Sequence, residues 1–361
     1  MIAAILVLAG LSNVLKVAVF LLILGVLVGF HEFGHFVVAK LSRVTVTDFA
    51  FGFGPTIASF ERGGTHYRIN LLPLGGYCKM VGEDSPDDDK ADPGNFQHKP
   101  VWVRFLIILA GPAFNFVLAA AIFAFIGSVI GTPTQTNIVQ DVQANSPAAR
   151  AGLEPGDEIV ALDGQPVRSG AEMVDYIHHR PNKRIEVKLL HAGALKDLSI
   201  KTRAVVALGQ TIGQFGFLAK TTYQHMPLPA GVMWGFAMVR DTVYSQITGI
   251  AGAIAHRDSS VISGPVGIAH VVISAESLGV FWVLQIAGIL SVVLGIFNLV
   301  PWPALDGGRL AFLVVEAARG KPVPAEKEGL VHLTGFALLM VLAVFITYHD
   351  VVQWISGRGG L

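Results

Sequence analysis

Residues 17–39 read VAVFLLILGVLVGFHEFGHFVVA, an apolar run whose only ionisable members are His31, Glu32 and His35. A helix over this stretch is long and apolar enough to span a bilayer. On it His31 and His35 lie one turn apart on the same face, where two imidazoles can bind one Zn²⁺. Glu32, beside the first imidazole, is the residue that can then polarise water at the metal. A His-x-x-x-His pair also occurs in helices that bind nothing. Ionisable groups at membrane depth are costly, however, and by default they mark function, which favours metal here.

The rest of the composition fits that setting. The chain has 361 residues, 52% of them hydrophobic and 14% charged, and its mean hydropathy is +0.58. These values describe a polytopic membrane protein that also carries soluble mass. The formal net charge is zero, so no basic field invites nucleic acid. Cys78 is the single cysteine. It excludes an intramolecular disulfide and a Cys-rich zinc site, leaving His and carboxylate as ligands. The apolar start, Met1 to Leu11, lacks a basic leader and runs into the first span, so no cleavable signal peptide is expected.

Four spans are predicted, at residues 14–39, 101–130, 278–300 and 330–355. Residues 232–255 are apolar but broken by Arg240-Asp241 and rich in Thr, Ser, Gln and Gly, which reads as an interfacial amphipathic helix. An even number of spans puts both termini on one side. Lys and Arg collect in the first inter-span loop (Lys40, Arg43, Arg62, Arg68, Lys79, Lys90, Lys99) and in the last (Arg319, Lys321, Lys327). Both loops are therefore expected in the cytoplasm, with the termini and the large middle segment outside. His31 and His35 then fall in the cytoplasmic third of the first span.

Inside the first loop, residues 56–60 and 66–72 flank Gly63-Gly64, which predicts a β-hairpin. The preceding Phe49-Ala50-Phe51-Gly52-Phe53-Gly54-Pro55 is too apolar for a free loop, and predicts sheet lying against or dipping into the membrane. The acidic run 83–92 reads as a solvated connector. From about residue 134 to 220 the pattern becomes that of a soluble domain, with short strands, a capped helix at Ser146-Pro147-Ala148-Ala149-Arg150-Ala151-Gly152 and turns at Pro155-Gly156-Asp157 and Asp163-Gly164. The predicted organisation is thus 1–132, two spans with the loop; 133–221, a soluble insert; 222–277, a membrane-surface segment; and 278–361, two further spans.

Two imidazoles and a water leave zinc short of a protein ligand. The best candidate lies in Asn298-Leu299-Val300-Pro301-Trp302-Pro303-Ala304-Leu305-Asp306-Gly307-Gly308, where two prolines break a span and expose backbone polar groups. Asp306 at this break is either a metal ligand or the cap of the helix that restarts after it. His66, His98, His191, His256 and His332 sit in loops or at span edges, where a solvated or interfacial imidazole is the ordinary reading.

The insert, through SPAARAGLEPGDEIVALDGQPV, resembles a circularly permuted bacterial PDZ domain. Together with His-Glu-x-x-His and the Pro-broken Asn-x-x-Pro-x-Pro-x-Leu-Asp-Gly-Gly, it makes the chain resemble the site-2 protease family, in its bacterial regulator-of-sigma-E protease branch. Pro73-Leu74-Gly75-Gly76-Tyr77, Gly111-Pro112-x-x-Asn115 and Gly264-Pro265-Val266-Gly267-Ile268 extend the resemblance over nearly the whole chain. It implies a mainly α polytopic membrane protein with a membrane-associated β-hairpin and an inserted α+β PDZ domain. It also implies zinc on His31, His35 and Asp306, Glu32 as catalytic base, and Asn298 and Pro301 at the substrate backbone. Asn115 is equally explained by a helix–helix hydrogen bond. The implied activity is zinc endopeptidase action on single-span membrane proteins, of the anti-sigma-factor and remnant-signal-peptide kind, within the lipid bilayer. A single PDZ module departs from members that carry two. The rival readings are a zinc or ion transporter, for which internal repeats are missing, and a catalytically silent PDZ scaffold, for which a ligand or Glu32 should be lost.

Overall fold

The computed structural model describes residues 13–83, 91–207, 210–256 and 279–355. The motif at residues 264–268, most of the acidic run and the start of the chain lie outside the described residues. The chain forms two compact units, one made of the chain up to Ser128 with the chain from Pro227 onward, the other of Val129–Met226.

The first unit begins with helix α1 (Asn13–Leu41) and a hairpin of β1 (Val46–Arg62) and β2 (Thr65–Met80). Helix α2 (Val101–Phe125) follows and continues as one π turn, Ile126–Ile130. Four helical segments are long and apolar enough to cross a membrane: Ala18–Leu41, Val101–Ile130, Val280–Leu299 and Glu326–Tyr348. They match the four predicted spans, with the last starting earlier. Its outward Leu330, Leu333, Phe336, Val341 and Phe345 are exposed, as a lipid-facing helix requires.

Glycines set how closely α1 meets its neighbours. A side chain on Gly25 would overlap the Pro73 carbonyl, one on Gly29 would lie 2.8 Å from the Phe51 ring, and one on Gly34 would overlap the Ala110 carbonyl of α2. Small residues at such positions let backbones approach where apolar burial alone gives no drive between helices.

Gly63 and Gly64 make the hairpin turn at φ +60° and +72°, the pair of positive values that a tight two-residue turn needs. Bends at Gly52 and Gly54 (φ +84° and +85°) divide β1. Its first part, 46–51, pairs antiparallel with 76–80 on one side. On the other, Asp48–His66, Phe49–Tyr67, Ala50–Arg68 and Phe51–Ile69 advance together, while 56–62 pairs back on 65–70. The hairpin is therefore a small four-segment sheet with 76–80 at one edge. Phe53, Ile57, Phe60, Ile69, Leu71 and Leu72 are all exposed on it, an apolar patch that a water-bathed sheet would not keep.

The second unit, the α+β insert, comprises β3 (Thr132–Val142), α3 (Pro147–Ala151), β4 (Glu158–Leu162), β5 (Gln165–Pro166), α4 (Gly170–His178), β6 (Arg184–His191), β7 (Ala194–Lys201), β8 (Arg203–Ala207), β9 (Gln210–Gln214) and β10 (Phe217–Gln224). Its main sheet has the order β10-β3-β4-β6-β7, with β5 on β4. Alternating inward residues such as Ile185, Val187 and Leu189 close its core against Met173, Ile177 and Phe215. Ser146 caps α3 by accepting from Ala149 N–H at 3.0 Å, and Gly152 ends it at φ +83°.

Helix α5 (Leu228–His256) is a single continuous helix laid along α2. Trp234 meets Phe123 edge-on, and Gly235 lies against the Ala120 carbonyl. Helix α6 (Val280–Leu299) packs on α2 through Gly288 and Gly295. After a turn comes α7 (Asp306–Arg319), the helix expected to restart after the proline break, and then α8 (Ala325–Ile355).

Replacing Gly34 with alanine should cost about 1–3 kcal/mol, because α1 and α2 must part. Gly249→Ala on α5, where nothing lies within 4 Å, should be neutral or stabilising. Thermal unfolding of the two detergent-purified variants checks the contrast.

Candidate metal centre

Helix α1 presents His31 and His35 on one face, each with only 6% of its surface exposed. Asp306, the first residue of α7, reaches the same point. Its Oδ2 lies 3.0 Å from His31 Nε2 and 3.3 Å from His35 Nε2, and the two Nε2 atoms are 3.3 Å apart. Bonds of about 2.0–2.1 Å from a tetrahedral zinc to N and O put ligand atoms about 3.3 Å from one another. The three observed separations fit that triangle. Asp306 Oδ2 is buried and takes no directed hydrogen bond, so lone pairs converge here instead of finding protons. Among the described residues this is the one cluster of three or more His, Cys, Asp or Glu ligand atoms close enough to share a metal ion. The alternative role of Asp306 as a helix cap has no support, since no side-chain hydrogen bond caps α7.

Both imidazoles are oriented from α2. His35 Nδ1–H donates to the Ile107 carbonyl at 2.8 Å, which fixes the tautomer with Nε2 free. His31 Nδ1 is 3.1 Å from the Asn115 carboxamide, whose Oδ1 is otherwise buried without a partner. Turned so that Oδ1 faces the ring, Asn115 accepts from His31 Nδ1–H and leaves Nε2 for a metal. The backbone carbonyl of Asn115 also accepts from Ser291 at 2.8 Å. Asn115 thus serves both the imidazole and the helix contact. Gly111, one turn before it, must be glycine, because a Cβ would overlap His35 Nε2 and come within 2.9 Å of His31 Cε1.

Asp306 is held by the mounting of α7. Arg104 of α2, buried in an apolar helix, forms a two-pronged pair with Glu316 and also bonds Gln97 at 3.0 Å. Arg309 pairs with Glu83, which is therefore no solvated connector residue. Breaking a buried pair such as Arg104–Glu316 typically costs about 3–5 kcal/mol. Side chains on Gly307 or Gly308 would overlap the Val300 and Trp302 carbonyls, so this glycine pair lets α7 start against the turn.

Glu32 opens into a cavity of about 310 Å³ that His35 and Asp306 also line, with residues 77–80 along one wall. Burial pushes the Cys78 thiol in that wall well above its ordinary value, and its sulfur is not among the converging ligand atoms. Asn298 and Pro301 are not brought into the cluster. The Asn298 carboxamide donates to the Leu294 carbonyl of its own helix at 3.0 Å, and Pro301 is exposed. His332, read from sequence as a solvated or interfacial imidazole, instead has its Nε2 buried and its Nδ1 bonded to Ala304 N–H. Nothing local signals that contact. Arg104 was open to notice as an isolated charge in an apolar span.

A profile for Peptidase family M50 matches residues 19–342. Zinc metalloprotease RasP of Bacillus licheniformis is 30% identical over 93% of this chain and 98% of that protein. The regulator of sigma-W protease RasP of Bacillus subtilis is 31% identical, over 93% and 98%. Among solved structures, the PDZ domain of an SdrC-like protein from Listeria monocytogenes is 27% identical over 24% of this chain and 87% of that one, with a TM-score of 0.21.

Asn115→Leu, which keeps volume but removes the partner of His31, should weaken zinc binding about 10–100-fold. Chelator competition on detergent-purified protein reads this. Unchanged affinity would restrict Asn115 to the contact with Ser291.

Proposed function

The chain belongs to peptidase family M50 and is a zinc metalloprotease of the site-2 protease family; from that premise we propose that it cuts single-span membrane proteins in or beside their transmembrane segments. In this reading His31, His35 and Asp306 hold the zinc and Glu32 is the catalytic base. The convergence of three ligand atoms amid helices apolar enough to cross a membrane carries the proposal. When bound, zinc supplies Lewis acidity to water and to the scissile carbonyl. Glu32 accepts the proton of the attacking water and returns it to the leaving amide nitrogen. Asn115 and the Ile107 carbonyl keep both imidazoles aimed while charge builds up.

A helical substrate hides its carbonyls in i→i−4 bonds and must unwind to react. The edge segment 76–80 supports a route for this, since it pairs with 46–51 on one side only and residues 77–80 line the cavity. An unwound substrate can add there as a strand. With its amide nitrogen engaged by Leu294, Asn298 offers Oδ1 to a substrate N–H, and Pro301 shapes the turn beside it. The name of the Bacillus subtilis relative supports substrates of the anti-sigma-factor kind; remnant signal peptides have the same single-span form. The Lys and Arg distribution supports an inner-membrane protein with the site toward the cytoplasm and the PDZ-like insert and both termini outside.

Glu32→Gln should retain zinc and lose about 10²–10⁴ in cleavage rate. Metal content and rate measured on one preparation check this, and wild-type turnover would remove Glu32 from the role of base. A poly-Leu substrate span should be cut more slowly than the same span carrying Gly or Pro near its cytoplasmic end. Equal rates at equal binding would argue against an unwinding step.

A further inference from the structure

We infer that His332 is a positioning residue for the metal site, holding the turn that delivers Asp306 through a hydrogen bond to the backbone of Ala304. The inference rests on reading His31, His35 and Asp306 as the zinc ligands. Residues 300–305 join α6 to α7, and α8 grips three of them in succession. Trp302 Nε1–H donates to the Gly335 carbonyl at 3.3 Å. Pro303 packs where a side chain on Gly335 would stand, since a Cβ there would overlap the proline ring. Ala304 N–H donates to His332 Nδ1 at 2.8 Å. Asp306 follows two residues later.

Ala304 has φ +79°, a left-handed conformation that an alanine keeps only when its surroundings hold it. The turn closes on itself through Leu305 N–H, which donates to the Trp302 carbonyl at 3.2 Å, and the bond from His332 holds the same residue from α8. Because Nδ1 accepts, the ring proton of the neutral imidazole sits on Nε2, which is buried 3.8 Å from Glu328 Oε1. The Phe312 ring of α7, with centroids 5.5 Å apart, fixes the imidazole from the other side. Without the acceptor, only that turn bond opposes rotation of Ala304 toward negative φ. That rotation turns the chain just ahead of Asp306 and moves Oδ2 away from the two imidazoles.

The test uses full-length protein in detergent, with zinc affinity read by chelator competition, ligand geometry by the visible absorption of the Co²⁺-loaded form, and thermal stability in parallel. Three variants separate the acceptor from the volume. His332→Asn places an oxygen near the position of Nδ1, His332→Gln places it near that of Nε2, and His332→Leu has none. Leu and Gln should bind zinc about tenfold more weakly and shift the Co²⁺ bands, while Asn stays near wild type. Wild-type affinity and Co²⁺ spectrum in the Leu variant would overturn the inference. So would Asn and Gln behaving alike, a comparison that holds even if the Leu variant does not fold. Asp306→Ala separates the two layers. If it loses zinc while the His332 variants bind normally, only the positioning role fails. If it binds zinc normally, the ligand assignment fails and this inference with it.

Discussion

Two imidazole nitrogens and one carboxylate oxygen meet within hydrogen-bonding distance without satisfying one another. In apolar surroundings such a cluster is costly unless a cation completes it. Each imidazole Nδ1 is committed to α2 so that Nε2 can face inward. Gly111 stays bare to make room for the rings, and Gly34 brings α1 close enough for them to arrive. Removing any of these leaves the ligand types intact and spoils their aim.

The carboxylate of the cluster, Asp306, comes from the far end of the chain and needs more support. Helix α7 is too short and too polar to be held by lipid, so charge anchors it. Arg104–Glu316 ties it to α2 and Arg309–Glu83 ties it to the end of the hairpin. Buried pairs of this kind contribute little net stability against an apolar replacement, yet breaking one is expensive. They therefore serve register better than stability. The turn ahead of Asp306 is held in turn by α8, whose outer face looks to lipid while Gly335 and His332 look to the site.

The hairpin joins two requirements that usually conflict. Its exposed apolar side chains suit a membrane surface, and residues 77–80 of its edge segment line the cavity that Glu32 and Asp306 share. An open edge is an aggregation hazard in water. In the proposed reading the same edge serves as a template for an extended substrate. The bends at Gly52 and Gly54 allow one strand to serve both ends, by folding β1 into segments with different partners.

Local pattern made much of this legible. The His-Glu-x-x-His helix, the four spans and the Gly63-Gly64 turn depend on periodicity, hydropathy and backbone freedom, which neighbouring residues determine by themselves. Asp306 was legible as an alternative between ligand and cap, because two prolines and two glycines announce a break but not where its carboxylate points. Only the tertiary structure decided that direction. It likewise decided that Ile107 supplies a carbonyl to His35, that Asn115 serves both His31 and the helix contact, and that His332 and Gly335 face the Asp306 turn. A backbone acceptor has no residue type to betray it. A histidine at a span edge looks the same whether it meets water or a turn that comes from another helix. Such contacts join residues remote in sequence, and they exist only once close helix packing brings their atoms within hydrogen-bonding reach.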